Sequence, residues 1–175
     1  DGFLYYPKLY RTRYDGAGLT LLTPDDGHHV ISFSPSGKYF VDTYSRVESA
    51  PVAVLRNATT GAIIRKLEEG DVSRLKGIGW RSAQVFSVKA RDGVTDIYGL
   101  LYLPPNIDST KKYPIISHIY PGPQVGSVGA WNFKNGGEPM ALAELGFVVI
   151  QLDHLGTPLR SKVFHDNYYG NFGDN

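Results

Sequence analysis

The sequence predicts a mixed fold in which an antiparallel β-meander is followed by an α/β arrangement. Three observations carry that expectation. Up to residue 67 the chain alternates short apolar, β-branched runs with turn signals, residues 68–80 are charged and Gly-rich, and from residue 84 two near-continuous apolar strands flank a helical pattern. Composition agrees: aromatics make up 13% with 12 Tyr, beside 20 Gly and 11 Pro, a mix that suits short strands and tight turns.

The first part holds six candidate strands, at residues 3–14, 19–23, 29–34, 39–45, 52–56 and 63–67. Between them stand Asp15-Gly16, Asp25-Asp26-Gly27, Pro35-Ser36-Gly37 and Thr60-Gly61, each a turn signal where a connection is needed. Consecutive strands joined this way make a meander. A Pro-Ser-Gly turn between two strands recurs once per blade in propellers, although only about one and a half blades fit here, against the roughly four to eight of a closed ring. Residues 68–80 allow one short helix after Asp71, an N-cap candidate, and the domain boundary is expected there.

Beyond Gln84, residues 85–90 and 95–103 read as a hairpin about Arg91-Asp92-Gly93. Tyr113-Pro114 opens an apolar strand over 115–120, of the kind found in a sheet covered on both faces. A Gly/Pro-rich loop runs over 121–137. Residues 139–145 space Met140, Leu142, Ala143 and Leu145 helically and stop at Gly146, and a second apolar strand over 147–152 ends at Asp153. Strand, loop, helix and strand compose one βαβ unit.

Several function classes are disfavoured. The net charge is +1 and no basic run exceeds Lys111 and Lys112, which argues against nucleic acid as a partner. With no Cys, disulfides, thiol chemistry and Cys-ligated zinc are excluded. None of the five His has metal-ligand spacing, so neither a metal nor another cofactor is expected. No apolar run approaches the roughly 20 residues of a membrane helix. No leader is visible, the chain opens on Asp1, its only Met is Met140, and residues 171–175 read as loop. These features suggest a piece of a longer protein, whose localisation stays open, periplasmic and secreted included.

The segments Phe33-Ser-Pro-Ser-Gly-Lys-Tyr-Phe-Val-Asp-Thr-Tyr-Ser45, Lys89-Ala-Arg-Asp-Gly-Val-Thr-Asp-Ile-Tyr-Gly99, Lys112-Tyr-Pro-Ile-Ile116, Tyr120-Pro-Gly-Pro-Gln124 and Leu145-Gly-Phe-Val-Val-Ile-Gln-Leu-Asp153 occur in this order. Together they resemble the dipeptidyl-peptidase branch of the prolyl oligopeptidase family of serine peptidases, over nearly the whole chain. The resemblance implies the end of an antiparallel β-propeller followed by the N-terminal half of an α/β-hydrolase domain. On that reading residues 1–70 are the C-terminal blade region, 71–83 a connector and 84–175 the start of the hydrolase. It further implies a propeller that admits only short or unfolded peptides, and an intact enzyme that cleaves dipeptides after proline from the N-terminus. The partners implied are that peptide and either the rest of the hydrolase domain or a second copy.

An α/β-hydrolase needs a Gly-x-Ser-x-Gly elbow, then an acid and a His. Gly126-Ser-Val-Gly129 comes nearest, but its spacing is wrong and it precedes the helix. The resemblance therefore implies that the Ser, Asp and His of the triad are absent and that this chain alone is inactive. Ser117, Asp153 and His165 have the right order by chance, and the burial expected of the 115–120 strand argues against them.

What the resemblance does carry onto this chain is Tyr120, in a Tyr-x-Gly-Pro stretch, as an oxyanion-hole donor. Ligands gather at the carboxyl ends of parallel strands, and a phenol there can donate to a tetrahedral oxyanion. By spacing alone, a Tyr capping the core with its hydroxyl at the surface stands beside that reading. Gly122 is expected to allow a close approach or positive φ, and Pro121 and Pro123 to stiffen the loop. The loop over 124–136, with Trp131 and Phe133, either lines a substrate entrance or packs. Asp153 is expected to order residues 156–160 by pairing with Arg160, and Asn57-Ala-Thr59, formally a glycosylation acceptor, to be a hairpin edge. His28 and His29 are expected to precede their strand. Glu68-Glu69 is placed after the last strand and is not the acidic pair that holds a substrate's amino terminus, so exopeptidase and endopeptidase stay open. The alternative function is a non-catalytic binding module built on the same two folds.

Overall fold

A computed structural model describes residues 3–120, 122, 124–171 and 173. The stiffening expected of Pro121 and Pro123, and the loop reading of Phe172, Asp174 and Asn175, lie outside the described residues. The chain divides into two compact units, Asp1–Val72 with Trp131–Phe133, and Ser73–Ala130 with Lys134–Asn175.

In the first unit β1 (Tyr10–Arg11) and β2 (Thr20–Leu21) form a short antiparallel pair. Next come β3 (His28–Phe33), β4 (Tyr39–Arg46), β5 (Ser49–Asn57) and β6 (Ile63–Glu69), an antiparallel sheet in which neighbours in sequence are neighbours in space. Period-2 alternation turns Phe40 and Asp42 of β4 and Val54 and Arg56 of β5 inward. Two of those four are charged, and they are paired as burial requires. Arg56, 1% exposed, donates Nε–H to Asp42 Oδ2 at 2.8 Å and Nη1–H to the Gly61 carbonyl at 3.0 Å, and its Nη2 pairs with Asp25. The ring of His29 bridges Asp42 Oδ1, 2.8 Å away, and the Asp25 carbonyl, 2.9 Å away. Asn57 ends β5 and its Oδ1 accepts from the Thr59 and Thr60 amides at 2.8 and 3.1 Å, the side-chain turn that reverses the chain into β6.

Three expectations change in this unit. Residues 3–14 are not one strand, because the start of the segment is drawn into an aromatic cluster instead of a ladder. Tyr5 stacks on Trp131 at 4.9 Å with 12° between planes, Phe3 meets the same indole at 5.0 Å, and Pro7 has no N–H to give. Trp131 is fully buried there, so it packs and does not line an entrance. His28 and His29 begin β3, and Glu68 and Glu69 lie inside β6, opposite Ala53 and Val52, because the ladder runs further at both ends than apolar content indicates.

The second unit opens with α1 (Ser73–Gly77) and the hairpin β7 (Gln84–Lys89) to β8 (Asp96–Tyr102). The turn is tied by Asp92, whose carboxylate accepts from the Val94 and Thr95 amides, both at 2.8 Å, and from the Thr95 hydroxyl. Then follow β9 (Ile115–Ser117), α2 (Glu138–Glu144), β10 (Val148–Asp153) and α3 (Lys162–His165). The sheet order is β7-β8-β10-β9, with β10 antiparallel to β8 and parallel to β9. A parallel pair needs a crossover, which α2 supplies while lying against β8 and β10. The helix takes Pro139 in its first turn and closes on Gly146 at φ 98°. There the Gly146 amide bonds the Ala143 carbonyl and the Phe147 amide the Leu142 carbonyl, the double bond of a Schellman stop.

The strand at 115–120 departs from expectation. Ladder pairing ends at Ser117, with one more bond from the His118 amide to the Ile150 carbonyl, and Ile115 and Ile119 are 67% and 62% exposed. β9 stands at the edge of this sheet, and the exposure of both Ile115 and Ser117 shows that it is not covered on both faces. Among the described residues no helix is long and apolar enough to cross a membrane.

Candidate functional site

The site grows from the alternation along β10. Val149, Gln151 and Asp153 point the same way and are 0%, 5% and 3% exposed. A polar pair at the carboxyl end of a strand needs partners, and the turn after Tyr120 provides them. Asp153 Oδ1 accepts the Val128 N–H at 2.9 Å. Gln151 Nε2 donates to the Ser127 carbonyl at 3.0 Å and lies 3.2 Å from His118 Nδ1, while its Oε1 accepts the Tyr102 hydroxyl at 2.9 Å. From the far side Lys134 Nζ donates to the Val128 carbonyl at 3.1 Å. Residues 127 and 128 are thus held by their backbone, and space is tight beside them: a Cβ on Gly126 would stand 2.3 Å from Asp153 Oδ1.

Burial sets the protonation of this support. Desolvation pushes the Tyr102 phenol up to about 12, so it stays a donor to Gln151 across the neutral range. Burial pulls the Lys134 ammonium below its ordinary value, an effect that the charge of Asp153 partly offsets.

Ser127, nearest to an elbow serine by sequence, is buried and structural. Its hydroxyl oxygen accepts the Tyr120 N–H at 3.0 Å. Tyr120 itself is 46% exposed, just past the end of β9, and its phenol oxygen accepts from Gln124 Nε2 at 3.0 Å. A tight approach describes Gly122: a Cβ there would meet Tyr120 Cε1 at 2.6 Å and Gln124 Oε1 at 2.8 Å. A phenol whose oxygen already accepts one bond retains its own proton to donate. The arrangement leaves one phenolic O–H just past the carboxyl end of a parallel-paired strand, with its backbone and its oxygen both tethered.

Asp153 does not pair with Arg160 to order residues 156–160. Arg160 Nη1 donates to the Asp96 carbonyl and its guanidinium lies 4.0 Å over the Phe164 ring, while Asp153 Oδ1 accepts the Val128 amide. Ser117 sits exposed on β9 and His165 in α3. Among the described residues no group of three His, Asp or Glu could hold a metal ion. Sequence reading named neither Gln151 nor Lys134 as part of the site, and gave Ser127 and Gln124 no supporting role. Alternation counted from Val149 places Gln151 and Asp153 on one face, but a sequence does not show which loop covers that face.

No family model matches the chain. Among curated proteins it is similar to dipeptidyl peptidase 8 of Homo sapiens, 35% identical over 168 residues that make up 89% of this chain and 18% of that protein. It is also similar to dipeptidyl-aminopeptidase B of Aspergillus niger, 26% identical over 172 residues, 94% of this chain and 18% of that protein. The chain thus spans under a fifth of the length of these relatives. Among solved structures, the crystal structure of Porphyromonas gingivalis dipeptidyl peptidase 4 matches with a TM-score of 0.77 at 21% identity, over 95% of this chain and 23% of that one, a likeness of fold.

Proposed function

The chain belongs to the prolyl oligopeptidase family of serine peptidases, in its dipeptidyl peptidase IV-like branch, and from that premise we propose that it is the junction segment of such an enzyme. On this reading residues 1–70 close a β-propeller, 71–83 connect, and 84–175 open an α/β-hydrolase domain whose nucleophile Ser and triad Asp and His lie outside these 175 residues. The intact enzyme removes dipeptides, with proline at the second position, from the amino terminus of short peptides.

The segment's own contribution is the Tyr120 O–H, which donates to the oxyanion that forms when the nucleophile attacks the scissile carbonyl. One observation carries this role: the phenol oxygen accepts from Gln124 at 3.0 Å, which orients the ring and leaves the phenolic proton free to donate. The proton is not transferred. The hydrogen bond tightens as charge develops on the carbonyl oxygen, and this is where such a donor lowers a barrier. Exposed Ile115 on the edge strand β9 and Ile119 just past its end support a further strand of the hydrolase, or a second copy, as the partner that covers them.

The full-length protein assayed on chromogenic X-Pro substrates should release dipeptide and be silenced by a serine-directed phosphonate. The isolated 175-residue chain should release nothing. Phosphonate-sensitive release by the isolated chain, or none by the full-length protein, overturns the reading.

A further inference from the structure

We infer that Asp153 and Ser127 are positioning residues for Tyr120, an inference that rests on the proposed oxyanion role. The path is short and continuous. The buried Asp153 carboxylate accepts the Val128 amide at 2.9 Å, the adjoining Ser127 hydroxyl accepts the Tyr120 amide at 3.0 Å, and Gln151 holds the Ser127 carbonyl at 3.0 Å between them. Gly126 lets the turn come down onto the carboxylate, since any Cβ would stand 2.3 Å from Oδ1. Asp153, an acid at the end of a strand and suggestive of proton chemistry, is therefore an acceptor for a backbone amide.

The geometry explains why a turn so rich in Gly holds a donor still. Past the end of the edge strand β9 the ladder offers no bond beyond the His118 amide, so only contacts outside the ladder can fix the Tyr120 backbone. Ser127 supplies the missing acceptor for the Tyr120 N–H, and the phenol oxygen is tied separately by Gln124. With the amide and the phenol oxygen each bonded, the ring and its oxygen are held before substrate arrives. Catalysis by preorganised donors depends on that, and small misplacements cost much.

The test is a double-mutant cycle in the full-length enzyme. Ser127→Ala removes the acceptor and should lower kcat about 10-fold to 100-fold with KM nearly unchanged. In a Tyr120→Phe background the same substitution should change kcat little, because no donor is left to misplace. Asp153→Asn keeps a carbonyl acceptor for the Val128 amide and should retain most activity, whereas Asp153→Ala should behave like Ser127→Ala. If Tyr120→Phe itself leaves kcat unchanged, the oxyanion role fails and this inference with it. If Tyr120→Phe is damaging while Ser127→Ala is silent, or its effect persists in full on the Phe background, only the positioning inference is overturned. Loss of activity in Asp153→Asn equal to that in Asp153→Ala likewise overturns it, since the carboxylate charge and not its acceptor would then matter.

Discussion

Replacing Arg56 with Met should loosen the β3–β6 sheet out of proportion to the volume changed. The guanidinium is 1% exposed and makes three polar contacts, to Asp42, Asp25 and the Gly61 carbonyl. Met fills most of the space but leaves Asp42, which is fully buried, with the His29 ring as its remaining partner in this network at 2.8 Å. Removing one partner of a buried ion pair costs about 3–5 kcal/mol, chiefly because the other charge stays behind. At about 1.4 kcal/mol per factor of ten, amides of β4 and β5 should exchange hydrogen roughly 10² to 4 × 10³ times faster by local opening. Mass-spectrometric hydrogen exchange on the full-length protein reads this sheet without requiring two-state unfolding. Arg13→Met is the control: its pair with Asp15 is 75% and 55% exposed and should matter little. Adding Asp42→Asn to Arg56→Met should recover part of the loss. Acceleration below tenfold in Arg56→Met would refute the reasoning.

Two further outcomes follow from the second unit. Gly156→Ala should destabilise it by about 2–5 kcal/mol, read as a lowered melting temperature, because Gly156 has φ 92° and a Cβ would overlap the Tyr168 ring at 1.5 Å. Tyr102 makes the same unit alkali-sensitive. Its folded pKa is raised from 10.0 to about 12, so the folded state keeps the proton longer, and the contribution, complete below pH 10, is lost as pH rises to 12. That contribution is roughly 2–3 kcal/mol, and Tyr102→Phe should flatten the loss in a pH-dependent stability profile.

The two-part character of the chain was legible because turn signals and apolar runs are local properties. The Gly146 stop is an example: the helix pattern, the Gly and the following apolar strand all lie within one short stretch, and the Schellman bonds form where they point. What escaped the sequence depends on partners far along the chain. Residues 3–14 carry strand-like composition, yet Phe3 and Tyr5 are claimed by Trp131. Alternation alone does not say that Asp42 and Arg56 meet, and they pair on a buried face. Tyr120 is singled out by its motif alone. The residues that hold it are not, since Ser127 reads as a misplaced nucleophile and Asp153 as a partner for Arg160, whereas they accept the Tyr120 and Val128 amides.

The central claim is that this segment gives the active site one oriented phenolic donor. Steady-state kinetics of Tyr120→Phe in the full-length enzyme, on a dipeptide substrate, tests it most directly. Loss of the O–H should lower kcat by about 10² to 10³ while KM barely moves, because the bond is made in the transition state. A kcat unchanged from the parent enzyme, or a defect confined to KM, would contradict it.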